Sequence, residues 1–422
     1  MDDSINLVTA QITFLPLFCI LFNLGYEEDA TNIPWTDRHH FLNLSITPVG
    51  CSLMCSKPLI DKYLAPLIDQ FNALLSNSTA KANGVEISTE EYVVVQVEGE
   101  GLDADQRVLE LTGPLAMAGI SIFFITTYFS DYILVPVKAR HTVVTTLQQR
   151  GFVFSPQAEA YVSQLSPILH HHSPGGLQGR PRTSSSSDSD VSRPPSSSSP
   201  APTTPPAKDI PELQIRTFTK LIKNGISPLV DPKLRLVNCA GNRNSSLAEA
   251  QELKEHLMQV LLAANFLSCK KSSKDCKHRV NHTTPGLLIS DLDNNESHDI
   301  SASFLSVTLS NEPISILMED RLLPHFGSTL LASKSQEDVL VPITLDLRSL
   351  GWQATGIVGG VAGRLTQRTV SHELGEVSDD TDAIEISFLS SAKAGSVIVH
   401  ATQLERALKA LKIGMEEVQA RN

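Results

Sequence analysis

The chain has 422 residues, 41% of them hydrophobic, a globular composition with room for several domains. Its formal charge of −12 lacks the basic excess that nucleic acid or an anionic membrane face requires, so neither is expected as a partner. Six scattered cysteines make no disulfide framework, and a reducing, cytoplasmic location is expected.

Residues 1–35 are weakly patterned. They open with the acidic MDDSINLVTAQ, where a signal peptide would be basic. The apolar run from Ile12 to Leu24 is short for a bilayer and is interrupted by Pro16 and Asn23. The sequons at Asn43 and Asn77 carry no glycan in such a compartment. A first unit is expected over 36–90, around FLNLSITPVGCSLMC, with Cys51 and Cys55 as core thiols on or beside a strand.

The second unit, 91–165, reads element by element. YVVVQV (Tyr92–Val97) is β-branched and short, a strand. Asp103 and Gln106 have the spacing of a capping box that opens a helix. Val108, Leu111 and Leu115 then share one face, and Gly119 suits the C′ position. Pro114 inside this helix predicts a kink or break near Leu111. ISIFFITT (Ile120–Thr127) is a strand apolar on both faces, so it is expected to be covered on both. Tyr128 to Asp131 turns the chain, with Asp131 as a turn residue accepting backbone N–H bonds. YILV is a third strand ended by Pro136, ARHTVVTTLQQ is a second helix stopped at Gly151, and FVF (Phe152–Phe154) is a fourth strand. The order is β-α-β-β-α-β, the ferredoxin-like arrangement.

Residues 166–211 are rich in Ser and Pro and offer almost nothing to bury, so they read as a disordered linker. A third unit is expected over 212–335, carrying a long polar loop at 268–300. A fourth is expected over 336–415, with an acidic insertion at 371–382. The fourth contains VLVPITLDL, GIVGGVAGRLTQ, AIEISFLSS, GSVIVH and the helix ATQLERALKALK, striped by Leu404, Leu408 and Leu411.

The two sides of the linker repeat one another. Phe41, Leu44, Ser52 and Met54 match Phe304, Val307, Ser315 and Leu317 at one constant separation. Ile122, Phe124, Ile133 and Val135 match Ile386, Phe388, Val397 and Val399 in the same order. The expected fold class is therefore α+β, tandem ferredoxin-like βαββαβ units, two per half and four in all.

At these residues, and at GPLAMAGISIFFITTYFSDYILV and GWQATGIVGGVAGRL, the chain resembles the ACT-domain proteins. Among these it is most similar to the CASTOR family of cytosolic arginine sensors. That resemblance implies four ACT units, no catalysis, no cofactor, and an amino acid or related metabolite held between the second and fourth units. It also implies a regulatory protein complex upstream of the TOR kinase as partner, and a homodimer as one form. Carried over by position, the ligand would meet Ser121 and Ile122 from the second unit. From the fourth it would meet Gly351, Ile357 and Val358, together with Ser391, Ala392, Lys393, Ala394 and Gly395. Gly356, Gly359 and Gly360 would present bare N–H groups to a carboxylate, or serve close helix packing. Where the arginine sensors use two acidic residues for the guanidinium, this chain has Ala354 and Gly395, with Lys393 nearby. A guanidinium would lose charge-assisted hydrogen bonds of roughly 1.5–3 kcal/mol each. An uncharged or acidic ligand is expected, or none.

Other constellations are weaker. GIVGGVAGRL lacks the G-x-G-x-x-G spacing of a dinucleotide loop. Cys269, Cys276, His278 and His282 have no standard zinc spacing and sit in a basic loop, so no metal is expected. His170–His172 lead into the linker. Lys270, Lys271, Lys274, Lys277 and Arg279 read as a solvated face. No nucleophile with a base, carboxylate pair or phosphate loop is recognisable. Two rivals stay open: a scaffold that keeps the fold without a ligand, and an enzyme of amino-acid metabolism with its site in the weakly patterned N-terminal residues.

Overall fold

A computed structural model describes residues 7–11, 41–76, 85–98, 104–154, 207–243, 245–271, 303–332, 339–351, 354–367 and 384–421. The first stretches give β1 (Leu7–Gln11), β2 (Leu42–Thr47), β3 (Gly50–Ser56) and a helical run, α1, formed by Lys57–Leu59, a π turn at Ile60–Leu64 and Ala65–Ser76. β4 (Glu86–Glu98), α2 (Ala104–Met117), β5 (Phe123–Thr126), β6 (Ser130–Pro136) and α3 (Arg140–Gln148) follow. Next come α4 (Ile210–Lys223), β7 (Pro228–Leu229), β8 (Leu236–Gly241), α5 (Leu247–Lys271), β9 (Leu305–Leu309), β10 (Ser315–Glu319) and β11 (Leu330–Ala332). β12 (Leu340–Asp346), α6 (Ile357–Leu365), β13 (Ile386–Ser390), β14 (Ala394–His400) and α7 (Leu404–Gln419) complete the order.

All the strands join one antiparallel sheet, in the order β11-β8-β10-β9-β2-β3-β1-β4-β6-β5-β13-β14-β12-β7. A further pairing of Leu340 with Leu236 brings β12 back to β8, so the sheet curls towards closure. β4 is shared along its length. Its first half pairs with β1, and Tyr92 to Glu98 pair with Pro136 to Ser130 of β6. β11 and β12 divide the same work: β11 lies on β8, and β12 runs along β14.

Period-2 alternation places one side of each strand against helices and the other inside the curl. Leu42, Leu44, Leu53 and Cys55 join Leu257, Leu261, Val307 and Ile316 in one helix-covered core. Phe124, Ile133, Val135, Phe388, Val397 and Val399 join Leu111, Leu115, Val361 and Leu411 in a second. Phe41, Met54, Phe304 and Leu317 meet Tyr92, Phe123, Ile125, Tyr132, Leu389 and Ile398 in a third, between the two stretches of sheet. The strand read as apolar on both faces is thus covered on both.

Several expectations shift. β4 extends beyond Tyr92–Val97, and β5 is shorter than Ile120–Thr127, whose first residues approach it as coil. α2 runs unbroken through Pro114. Its face of Val108, Leu111 and Leu115 is fully buried, and tertiary packing outweighs the one missing backbone bond. Asp103 of the expected capping box lies outside the described residues. FVF is not a strand: β1 holds the place beside β4, Val153 is 95% exposed, and Phe152 and Phe154 pack on the core as coil. The end of the expected linker is ordered, because Asp209 caps α4 by accepting from the Glu212 N–H at 2.8 Å, with Pro211 in the first turn. α5 continues through 268–271, where the long loop was expected to begin. The remainder of both segments, the whole of the acidic insertion, and His278 and His282, for which no metal was expected, lie outside the described residues.

α4 and β7, which lie at Ile210–Lys223 and Pro228–Leu229, pack on elements from the range 336–415. β7 pairs with β12, and Phe218 of α4 sits against Gly414 of α7. β1 falls in the stretch read as unpatterned.

Candidate functional site

β5 and β13 meet antiparallel, Ile125 opposite Leu389. α2 and α6 lie over this junction. α2 ends in the expected left-handed glycine: Gly119 has φ 73°, its N–H reaches the Ala116 carbonyl, and Ile120 N–H reaches the Leu115 carbonyl, both at 3.0 Å. The chain then passes through Ile120–Ile122 into β5. α6 opens at Gly356, φ 82°.

The two termini enclose a cleft between Thr112, Ala116, Ile120 and Ile122 on one side and Ala354 and Gly356 to Gly359 on the other. Its walls are apolar side chains, backbone and the side chain of Thr112, whose hydroxyl donates to the Val108 carbonyl, and no ionisable group lines it. The free space is about 20 Å³, room for a water and not for an amino acid. A second, open groove lies at the sheet edge beside β7, bordered by Asn224, Asp346 and Arg348.

The structure brings Ile122, Ile357 and Val358 together in the cleft. Ser121 adjoins it. Gly351 stands in the open, with nothing within 4 Å of a Cβ built there. Ser391 to Lys393 form the β13–β14 turn, Ala394 and Gly395 open β14, and none of the five lines the cleft. Ser391 Oγ and the Ala394 carbonyl hydrogen-bond within the turn, the Ala392 N–H reaches Ser52 Oγ of β3 at 3.2 Å, and Lys393 pairs with Glu86 at 3.3 Å. Lys393 therefore does not face the cleft. The residues that sequence reasoning missed are Thr112, Ala116 and Ile120. Small residues four apart on a helix facing a glycine-rich helix start were the available signal.

Gly359 and Gly360 serve close packing. A Cβ on Gly359 would lie 3.3 Å from the Thr112 carbonyl oxygen, and one on Gly360 would lie 2.1 Å from Thr217 Oγ1 of α4. α4 crosses both α2 and α6. Thr217 donates to the Gly356 carbonyl at 3.0 Å, and Lys220 Nζ donates to the Thr355 carbonyl at 2.8 Å. Burial lowers the Lys220 pKa.

Asp131 is not a turn acceptor. It is the second residue of β6, 1% exposed, and forms an ion pair with Arg107 in the first turn of α2. Burial raises its pKa, against the opposing effect of the Arg107 charge. Neither carboxylate oxygen has a partner in good hydrogen-bond geometry, and the pair is held chiefly as charges. Burial also pushes the Cys239 thiol up to about 12, and Cys55 higher still, as befits core packing. Among the described residues no group of His, Cys, Asp and Glu could hold a metal, and no helix is long and apolar enough to cross a membrane.

The fold and cleft define a mixed α/β protein with a curled antiparallel sheet. Within it, residues 87–149, from Ile87 in β4 to Gln149 after α3, match the family model of the ACT domain. No curated protein matches the chain. The crystal structure of aspartate kinase from Synechocystis aligns with 99% of this chain and 55% of its own, at 10% identity and a TM-score of 0.30. The chain spans about half the length of that kinase.

Proposed function

We propose that the chain is a non-catalytic regulatory protein of four ACT units that binds an amino-acid-type ligand in the α2–α6 cleft and reports occupancy to a protein partner. ACT domains bind amino acids in regulatory proteins, and the ACT match covers one wall of the cleft. The observation that carries the reading is the junction of β5 with β13, which sets the ends of two corresponding helices face to face over a common sheet. The strand orders β2-β3-β1-β4, β9-β10-β8-β11, β5-β6-β4 and β13-β14-β12-β7 support four units of one kind. In this reading the protein is a divergent relative of the CASTOR sensors.

The ligand is uncharged or acidic rather than arginine. No carboxylate lines the cleft, and Ala354 and Gly395 offer none. A scaffold without ligand is the second reading, favoured by the 20 Å³ of free space. A thermal-shift screen against the twenty amino acids separates the two. A ligand at 100 times its Kd adds about 2.7 kcal/mol and raises Tm, and a flat screen leaves the scaffold. A rise with arginine alone would overturn the assignment of ligand class.

A further inference from the structure

We propose that the open groove beside β7 is a second small-molecule site, which takes an α-amino acid with an aliphatic side chain, its carboxylate on Arg348 and its ammonium on Asn224. Residues 224–227 and Leu229 form one side, and Asp346, Arg348 and Ser349 form the other, around a free space of about 530 Å³. That is room for a small ligand, where the cleft has room for a water. No described residue lines both this groove and the α2–α6 cleft.

Both walls are anchored in the large core. After α4 the chain turns at Gly225, φ 66°, and Ile226 is buried, its N–H on the Leu221 carbonyl at 2.9 Å. Opposite, Leu347 and Leu350 pack on the same core and close a turn, the Leu350 N–H on the Leu347 carbonyl at 2.8 Å. Ser349 Oγ donates to the Asn224 carbonyl at 3.3 Å and ties one wall to the other. A ligand therefore meets groups already held in place, which lowers the cost of ordering them.

Arg348 is oriented by Asp346. Its Nε lies 2.9 and 3.0 Å from the two carboxylate oxygens, and Nη2 binds the same group. Asp346 thus takes the side edge of the guanidinium and leaves the end edge, Nη1 with the second Nη2 hydrogen, for another carboxylate. These bonds hold the Asp346 carboxyl below its ordinary value, so the pair persists at neutral pH. Asn224 Nδ2 donates to the Lys220 carbonyl at 2.8 Å, which leaves Oδ1 to accept an ammonium. Leu229, 52% exposed, is the apolar wall for a side chain. Asp346 offsets the Arg348 charge, so a simple anion gains little net attraction, whereas a zwitterion finds both donor and acceptor.

Equilibrium dialysis of the full chain with radiolabelled L-leucine tests the site. Leucine is expected to bind. Isocaproate, which lacks the ammonium, and isoamylamine, which lacks the carboxylate, are each expected to compete about tenfold more weakly. Arg348→Gln is expected to weaken leucine about tenfold with little change in Tm, because the ion pair it removes is exposed. No leucine binding at millimolar concentration overturns the site. Leucine binding unchanged in Arg348→Gln also overturns it and leaves the α2–α6 cleft as the seat. Isocaproate competing as well as leucine overturns the role given to Asn224.

Discussion

Ile125 faces Leu389 across the β5–β13 junction, and the two residues hold corresponding positions in the two halves of the chain. Leu44 faces Val307 in the same way across β2 and β9. Each half therefore meets the other through equivalent strands, about an internal pseudo-twofold axis. The side chains obey it too. Phe124 N–H donates to Ser390 Oγ at 3.0 Å, and Phe388 N–H donates to Thr126 Oγ1 at 3.1 Å. The hairpin turns dock reciprocally, Tyr128 N–H on Ser315 Oγ and Ala392 N–H on Ser52 Oγ.

The Ser390 hydroxyl serves a buried N–H on the opposite half. Ser390→Ala leaves Phe124 N–H unsatisfied and is expected to cost about 1–3 kcal/mol. Thr126→Val does the same to Phe388 N–H, at the lower end because Thr126 is only partly buried. Urea denaturation of both variants checks this, and two unshifted midpoints would show the junction to be held by packing alone.

Asn43 is fully buried at the β2–β9 junction and donates to Ser306 Oγ and Thr308 Oγ1, both at 3.0 Å, while accepting from Ser45 at 2.7 Å. Asn43→Ala strands three hydroxyls between the halves. A loss of about 1–3 kcal/mol is expected by chemical denaturation. Stability equal to wild type would mean that the hydroxyls satisfy one another.

Arg107 neutralises a carboxylate that is 1% exposed. Arg107→Met is expected to cost about 3–5 kcal/mol near neutral pH, since it leaves a buried charge unpaired. The pH response follows from the sign of the shift. Asp131 has a folded pKa above its ordinary 3.8, so the folded state binds the proton more tightly. Its contribution is full below about 3.8 and declines as pH rises through the higher folded value. The difference in unfolding free energy between wild type and Asp131→Asn should therefore shift against wild type across that window. A flat difference would show that the Arg107 charge cancels burial.

Gly360→Ala would set a methyl 2.1 Å from Thr217 Oγ1 and 2.5 Å from its Cβ, and a loss of about 1–3 kcal/mol is expected from overpacking. Gly351→Ala, with open space around it, serves as the neutral control. Equal Tm values for the two variants would show that α4 yields freely.

Local chemistry was legible in the sequence. Gly119 and Gly151 have positive φ, as their helix-ending positions demanded, and Pro136 closes β6. Phe41 lies in a different core from Leu42 and Leu44. The repeat separation announced which strands correspond, because each copy must solve the same packing problem. Of the expected site residues, Ile122, Ile357 and Val358 converge because they adjoin the glycine-marked helix termini.

What tertiary structure alone decided is where strands find edges and helices find covers. FVF has strand composition, but β1 occupies the place beside β4. Asp131 looks like a turn residue until Arg107 of α2 is set against it. Ser391 to Gly395 leave the cleft because their turn docks on Ser52, hundreds of residues earlier in the chain. α4 follows the linker in sequence yet packs on α6, where Gly356 and Gly360 leave room for Leu213 and Thr217. Propensity and periodicity act over a few neighbours. Edge pairing, burial of charge and the fit of a side chain over a glycine depend on residues brought together only by the closed sheet.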